Sequence, residues 1–289
     1  MANNFIQLHQ PSSAVVQTLP GNASPYYLVG TTNSSNPILS LSNLAIYYDP
    51  SISSSVSLSG SNVTAITDLS NSGLGTTGTS IIGQQATYVT SYQNNLNVLL
   101  FDANTIITIA NSIFNTPQAS FGWIFKMPSS LPNLASGLYL FNFIGVPNPD
   151  NTNFDCYVNA NNLSPAQLLV IDTGENNIGG AYSSIGSGTM QIPLNLDTWY
   201  RMIIVYDSTL SDVNQRAKIY FYGIPGWLVG SGGGGIGNNN GLQNGTLGYG
   251  PSAGLTLAAH IGEIFYTNSA LTPDQISAVD SYWVTKWGF

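Results

Sequence analysis

Few side chains in this chain of 289 residues could do chemistry, and their spacing narrows which chemistry that is. The two histidines are His9, in an irregular leader, and His260, just before a strand. The one cysteine, Cys156, sits in Phe-Asp-Cys-Tyr-Val, the pattern of a buried strand, and alone it forms no intramolecular disulfide. No His/Cys/Asp spacing suits zinc, and no Gly-x-Ser-x-Gly elbow presents a nucleophile. The glycine- and asparagine-rich stretch 229–254 lacks the Lys-Ser/Thr ending of a phosphate loop, so nucleotide binding is rejected. Between two good strands it reads as an extended surface loop. No cofactor is expected, with calcium the one metal candidate. Asp150-Asn-Thr-Asn-Phe-Asp155 offers oxygen ligands on one loop, with Asp150 and Asp155 as the carboxylates, though without the glycine and terminal glutamate of an EF-hand. An ordinary Asx-rich turn is the competing reading of the same residues.

Aromatic residues make up 11% of the chain, with 16 Tyr and 5 Trp. Sugar rings stack on exposed aromatic faces, and Asn, Asp and Gln side chains bond their hydroxyls, so the composition suits glycan binding. Tyr92, Tyr182, Trp227 and Tyr249 lie in or beside loops and are the candidate carbohydrate-binding residues. Tyrosine and tryptophan also fill sandwich cores and protein interfaces, and that reading stays open for each of the four. Trp123, Trp199, Trp283 and Trp287 read as structural.

The elements that must position these side chains are mostly strands. Runs rich in β-branched and aromatic residues occur at 44–48, 86–92, 98–101, 105–109, 121–127, 138–144, 154–158, 168–171, 190–192, 199–206, 217–222, 255–258 and 261–266. Turn residues separate them at short intervals, and no helix intervenes, which predicts an all-β sandwich or barrel. One helix closes the sequence. Thr272 is a good N-cap, Pro273 fits the first helical position, and Gln275 completes a capping box. Leu271 and Ile276 are placed for a hydrophobic staple, and Ile276, Val279, Trp283 and Trp287 share one face. Residues 1–40 read either as an irregular arm suited to docking on a partner surface or as a simple flexible leader, ahead of a folded domain at 41–289.

Hydrophobic residues make up 43% of the chain, enough for a real core, and only 6% are charged. The five basic residues, Lys126, Arg201, Arg216, Lys218 and Lys286, form no basic patch in a chain of formal charge −8, which argues against nucleic-acid binding. No segment has the length of a membrane span. The start, Met-Ala-Asn-Asn-Phe-Ile-Gln, has neither a charged n-region nor an apolar h-region. Release by lysis or inside a particle is therefore expected, unless a leader has already been removed. A surface of neutral amides and hydroxyls tolerates close packing beside many copies.

Three stretches together resemble the concanavalin A-like (laminin G-like) jelly-roll superfamily. The first is Leu44-Ala-Ile-Tyr-Tyr-Asp49 with the later Asp68-Leu-Ser-Asn-Ser-Gly73 turn. The second is Asp197-Thr-Trp-Tyr-Arg-Met-Ile-Ile-Val-Tyr-Asp207 followed by Ala217-Lys-Ile-Tyr-Phe-Tyr-Gly223, and the third runs from Ile261-Gly-Glu-Ile to Ile276. The resemblance spans about residues 41–289 and implies a β-sandwich with one short C-terminal helix. Such modules occur in virus and phage particle proteins and in secreted carbohydrate-binding proteins. The leading expectation is a non-enzymatic structural protein of a virus particle (capsid decoration, minor capsid, fibre or tail), present in many copies. It would dock on other virion proteins through the arm and display a lectin-like domain for host glycans. The alternative is a secreted or cell-surface carbohydrate-binding module. A glycoside hydrolase is a third reading that the acids disfavour. The family's hydrolases carry clustered acids of the Glu-x-Asp-x-x-Glu type, whereas the only glutamates here are Glu175 and Glu263, and both hydrolytic routes need two facing carboxylates. Glu263 with Asp207 would meet only by accident of fold. Glu263 is expected to brace a loop by accepting from backbone amides.

Overall fold

The computed structural model describes residues 35–110 apart from 75 and 103, then 116–130, 138–145, 153–159, 167–173, 192–207, 209–212, 217–221, 224–227, 242–248, 255–256 and 258–289. The arm proposed for residues 1–40 falls outside these up to residue 34. The chain divides after Asn36, and every element below belongs to the unit Pro37–Phe289. In chain order the strands are β1 (Leu44–Tyr48), β2 (Val56–Ser59), β3 (Asn62–Ile66), β4 (Gly78–Ser80), β5 (Thr87–Gln93), β6 (Leu96–Leu100), β7 (Ile107–Ala110), β8 (Gln118–Lys126) and β9 (Leu138–Gly145). They continue as β10 (Asn153–Asn159), β11 (Gln167–Thr173), β12 (Ile192–Leu194), β13 (Trp199–Asp207), β14 (Ala217–Phe221), β15 (Ile224–Trp227), β16 (Leu242–Leu247), β17 (Leu255–Thr256) and β18 (His260–Thr267), and the chain ends in α1 (Pro273–Trp287).

The pairings form two layers. One runs β5–β6–β18–β8–β13–β14–β15, with β1 sharing the β6 edge of β18. The other runs β2–β3–β4–β7–β16–β9–β10–β11–β12. All of these pairings are antiparallel; β17 lies parallel to β9. Among the described residues a single pair, Asn62 with Thr87, joins the layers. Between them lies one apolar core, in which Trp123, Phe125, Met202, Ile204 and Ile261 of the first layer meet Val63, Ile66, Ile107, Ile109 and Leu247 of the second. The molecule is thus a β-sandwich, as its strand-rich sequence requires.

The first layer is covered on its other side as well. On β13, Tyr200, Met202, Ile204 and Tyr206 point into the sandwich, while Ile203 and Val205 join a second cluster beneath α1. A strand buried on both faces loses the polar alternation of a half-exposed one, which is why β8 and β13 read as unbroken apolar runs. The helix forms as its residues dictate. Thr272 Oγ1 accepts from the Gln275 amide at 3.3 Å, and Gln275 Oε1 accepts from the Thr272 amide at 2.9 Å. Pro273 takes the first position, and Gly288 closes the helix in the left-handed region at φ 73°. Ile276, Val279, Trp283 and Trp287 are buried against the sheet, each worth about 1.5–3 kcal/mol relative to exposure. Leu271 and Ile276 lie in the same cluster, as a staple requires.

Two expectations need correction. The stretch 229–254 is not all loop, because its residues 242–247 form β16, a strand paired on both sides by β7 and β9. Partners on both flanks supply the backbone hydrogen bonds that Leu-Gln-Asn-Gly-Thr-Leu would not retain alone. Asp155 is not on a loop with Asp150; it lies within β10, opposite Asn142 on β9 and Asp172 on β11. Asp150 is outside the described residues.

Candidate functional site

Part of the outer face of the first layer lies beside the end of α1. There a row of residues in register crosses four strands: Leu100 of β6 pairs with His260 of β18, His260 with Lys126 of β8, and Lys126 with Trp199 of β13. Residues directly opposite one another share a face, and all four side chains are half-buried. Tyr92 lies over this row. Its ring stacks on His260, centroids 4.1 Å apart and planes 13° apart, and meets Trp199 edge-on at 6.2 Å. Trp199 also touches the rings of Trp287 at 5.9 Å and Phe289 at 5.8 Å.

Local backbone chemistry aims Tyr92 there. The β5–β6 hairpin turns on Asn94 and Asn95, both at positive φ (49° and 59°), the type I′ requirement. Between Val89 and Gln93 the ladder is bulged, with Ser91 at φ 53°. Simple alternation would send Tyr92 inward with Tyr88; the bulge leaves Tyr92 on the helix side with Val89. Bulges that redirect one side chain recur beside functional sites. The hairpin is then pinned to the helix end, where two carbonyls lack helical partners. Gln93 Nε2 donates to the Trp287 carbonyl at 2.9 Å, and Asn94 Nδ2 to the Lys286 carbonyl at 2.8 Å. Asp197, in the turn before β13, is also left-handed at φ 53°. Four of the six described non-glycine residues at positive φ therefore flank this site: Ser91, Asn94, Asn95 and Asp197. Such backbone strain gathers where function demands a fixed geometry.

The site's charges are matched. Lys126 Nζ lies 2.6 Å from Asp197 Oδ1, 3.4 Å from the Tyr92 hydroxyl and 5.5 Å from its ring centroid. The hydrogen bond to Asp197 raises the Lys126 pKa above the usual ammonium value. Burial, then the nearby Lys126 charge, lowers that of His260, so its imidazole is neutral at about pH 7. A short step away, Arg201 Nε bonds Asp280 Oδ1 at 2.6 Å and its guanidinium sits 5.4 Å from the Phe289 ring. The arrangement offers partly buried aromatic rings edged by the Lys126 ammonium and the exposed Asp197 carboxylate.

Glu263 is placed elsewhere and does not brace a loop through backbone amides. Ile261 and Ile264 of β18 face Phe125 and Trp123 of β8, three residues against two, so one extra residue bulges β18. Both Gly262 and Glu263 then face α1. Glu263 Oε1 accepts from Lys286 Nζ at 2.7 Å and Trp287 Nε1 at 2.9 Å; Oε2 accepts from the Tyr47 hydroxyl at 2.8 Å and Trp283 Nε1 at 3.3 Å. Lys286 Nζ also reaches Asp49 Oδ2 at 2.5 Å. The acid that meets Glu263 is thus Asp49, not Asp207, which bonds Gln118 and Thr209 at the far end of β13. The side chains of Glu263 and Asp49 are 0% and 1% exposed. Burial and the Asp49 charge push the Glu263 carboxyl upward, with Lys286 pulling the other way. With four donors and no access for substrate, this cluster fastens the helix to the sheet.

Of the four aromatic residues singled out in the sequence, the structure places Tyr92 in the site. Trp227 ends β15, opposite Lys218 of β14, as a strand residue; Tyr182 and Tyr249 lie outside the described residues. Trp199, read as structural, both packs on Trp287 and forms part of the platform. His260, Lys126 and Asp197 went unrecognised, since only the four-strand register brings them together. Among the described residues no three of His, Cys, Asp and Glu gather in a way that could hold a metal ion, and no helix is long and apolar enough to cross a membrane.

No family model and no curated protein matches this chain. Among solved structures it is similar to domain 4 of a GH43 extracellular arabinanase from Geobacillus stearothermophilus, in complex with arabinotriose. The identity is 14% and the TM-score 0.54, over 82% of this chain and 98% of that one. It is also similar to Trypanosoma rangeli sialidase in complex with sialic acid, at 13% identity and TM-score 0.53, over 92% of this chain. It spans 35% of the length of that sialidase. These likenesses show the β-sandwich fold.

Proposed function

We propose that this chain is a non-enzymatic carbohydrate-binding β-sandwich of the concanavalin A-like kind, holding sugar against Tyr92, which His260 backs, and Trp199. The observation that carries the proposal is the partly buried aromatic platform, built on strained backbone and edged by polar groups. Sugar C–H faces stack on such rings, while hydroxyls find carboxylate and ammonium partners. One solved neighbour of similar fold, the arabinanase domain, is in complex with arabinotriose, which supports this choice among the functions the fold can host. The lack of catalysis is part of the proposal: the acids Asp49 and Glu263, which both bond the Tyr47 hydroxyl, are sealed beneath α1. A glycan array, followed by calorimetry on the best ligand, tests it. Tyr92→Ala should lower affinity at least about tenfold, as loss of one stacking face does, with the melting temperature nearly unchanged. Binding to nothing on a broad array, or an unaffected Tyr92→Ala, would refute it.

A second reading, a multi-copy particle protein displaying this site, is favoured by the 6% charged composition, which suits dense packing of neighbours. Quantitative mass spectrometry of purified particles from the source tests it: absence from particles leaves the secreted or cell-surface role alone.

A further inference from the structure

From this same site we infer a substrate class and the residue that sets it: the platform is selective for uncharged sugars, and Asp197 is the specificity-determining residue. The inference rests on the carbohydrate-binding reading and goes beyond it. An aromatic platform with a lysine at its edge is, by itself, suited to an anionic sugar, because an ammonium 3.4 Å from the Tyr92 hydroxyl would pair with a carboxylate stacked there. Here that ammonium is already taken. Asp197 holds it at 2.6 Å, and the two side chains differ in access: Lys126 is 18% exposed and Asp197 70%. A ligand approaching from solvent therefore meets the carboxylate before the ammonium. An anionic sugar would be repelled by Asp197 and would have to displace it to reach Lys126. A neutral sugar can donate its hydroxyl protons to Asp197 while the ion pair stays intact.

The backbone shows that Asp197 is held in this place. Its left-handed φ of 53° is one that aspartate, like asparagine, adopts more readily than most residues, and its amide donates to the Pro128 carbonyl at 3.1 Å. That fixes the turn that carries the carboxylate back over the end of β8. The other cations near the platform are likewise paired: Arg201 with Asp280, and Lys286, 5.8 Å from the Trp287 ring centroid, with Asp49 and Glu263. His260 adds no charge at neutral pH, consistent with its burial. Every charge bordering the rings is thus balanced within the protein.

The test uses the full chain and measures the ratio of affinities for neutral and anionic probes: arabinotriose and lactose against 3′-sialyllactose and trigalacturonate. Wild type should favour the neutral probes, with affinity insensitive to salt. Asp197→Asn keeps a side chain that tolerates the left-handed turn but removes the charge, leaving Lys126 available. It should shift the ratio about tenfold toward anionic probes, the scale of one gained charge-assisted hydrogen bond, and make anionic binding salt-dependent. Adding Lys126→Gln to it should abolish that gain. A merely structural Asp197 would weaken both probe classes equally and leave the ratio unmoved, which would overturn the inference, as would a wild-type preference for anionic sugars. Failure of wild type to bind either class would instead overturn the carbohydrate-binding reading on which it rests.

Discussion

Replacing Lys286 with methionine keeps the aliphatic stem and deletes one charge from a nearly solvent-free cluster. The ammonium sits 2.5 Å from Asp49 and 2.7 Å from Glu263. Near-contact unit charges about 4 Å apart interact by roughly 4 kcal/mol at an effective dielectric of about 20. Two such interactions disappear, partly offset because lysine no longer has to be desolvated, and two carboxylates are left facing each other. Breaking a buried pair in this way costs about 3–5 kcal/mol, against a total stability of about 5–15 kcal/mol. Urea unfolding followed by tryptophan fluorescence and circular dichroism should show that loss at about pH 7, with a melting point lower by on the order of 10 °C. The pH dependence makes the test sharper. In the variant, burial and Asp49 still push the Glu263 carboxyl up, and nothing from Lys286 pulls it back. An acid whose folded pKa is raised contributes stability below its unfolded pKa and loses it as pH rises through the folded one. The deficit of Lys286→Met should therefore grow as pH rises and shrink as pH falls toward the ordinary carboxylate range near 4.5. A loss under about 1 kcal/mol, well below the cost of a broken buried pair, or a deficit indifferent to pH, would refute the account of the cluster as the helix's fastening.

A methyl group on Gly122 would meet Phe265 Cε1 at 2.0 Å, so Gly122→Ala should cost about 1–3 kcal/mol by overpacking in the same urea assay, and Phe265→Leu should restore part of it. Because burial lowers the His260 pKa, its stabilising neutral form persists from alkaline pH through its unfolded value of 6.5 and is lost only as pH falls through the folded one. Sugar affinity should accordingly be flat from about pH 8 to 6.5, and a His260 ring-proton titration by NMR with its midpoint above 6.5 would contradict this.

The terminal helix could be read residue by residue because its determinants are local. Thr272, Pro273 and Gln275 act within one turn, and the spacing of Ile276, Val279, Trp283 and Trp287 follows from helical geometry alone. β1 was legible for the same reason. β16 was not, because Leu-Gln-Asn-Gly-Thr-Leu becomes a strand only between β7 and β9, contributed by distant parts of the chain. The site was half legible. Tyr92 stood out as an aromatic in or beside a loop, but His260, Lys126 and Trp199 become neighbours only through the register of three strands. The bulge that faces Tyr92 toward them leaves no clear mark in the sequence. Glu263 was noticed as a rare acid and given the wrong partners, since a second bulge decides which way it points.

The pairing of β1 with β18 joins Leu44 to Thr267, and this has a consequence for how the protein is made. β18 sits between β1 and β6 on one side and β8 on the other, and α1 covers all of them. A nascent chain cannot complete this layer until residue 287 has left the ribosome, so the apolar faces of β1, β8 and β13 wait through most of synthesis without their cover. Long-range strand pairing of this kind folds slowly and exposes sticky intermediates. Translation that stalls between β14 and β18 should leave a chain that chaperones hold and proteases remove, rather than a partly working sandwich.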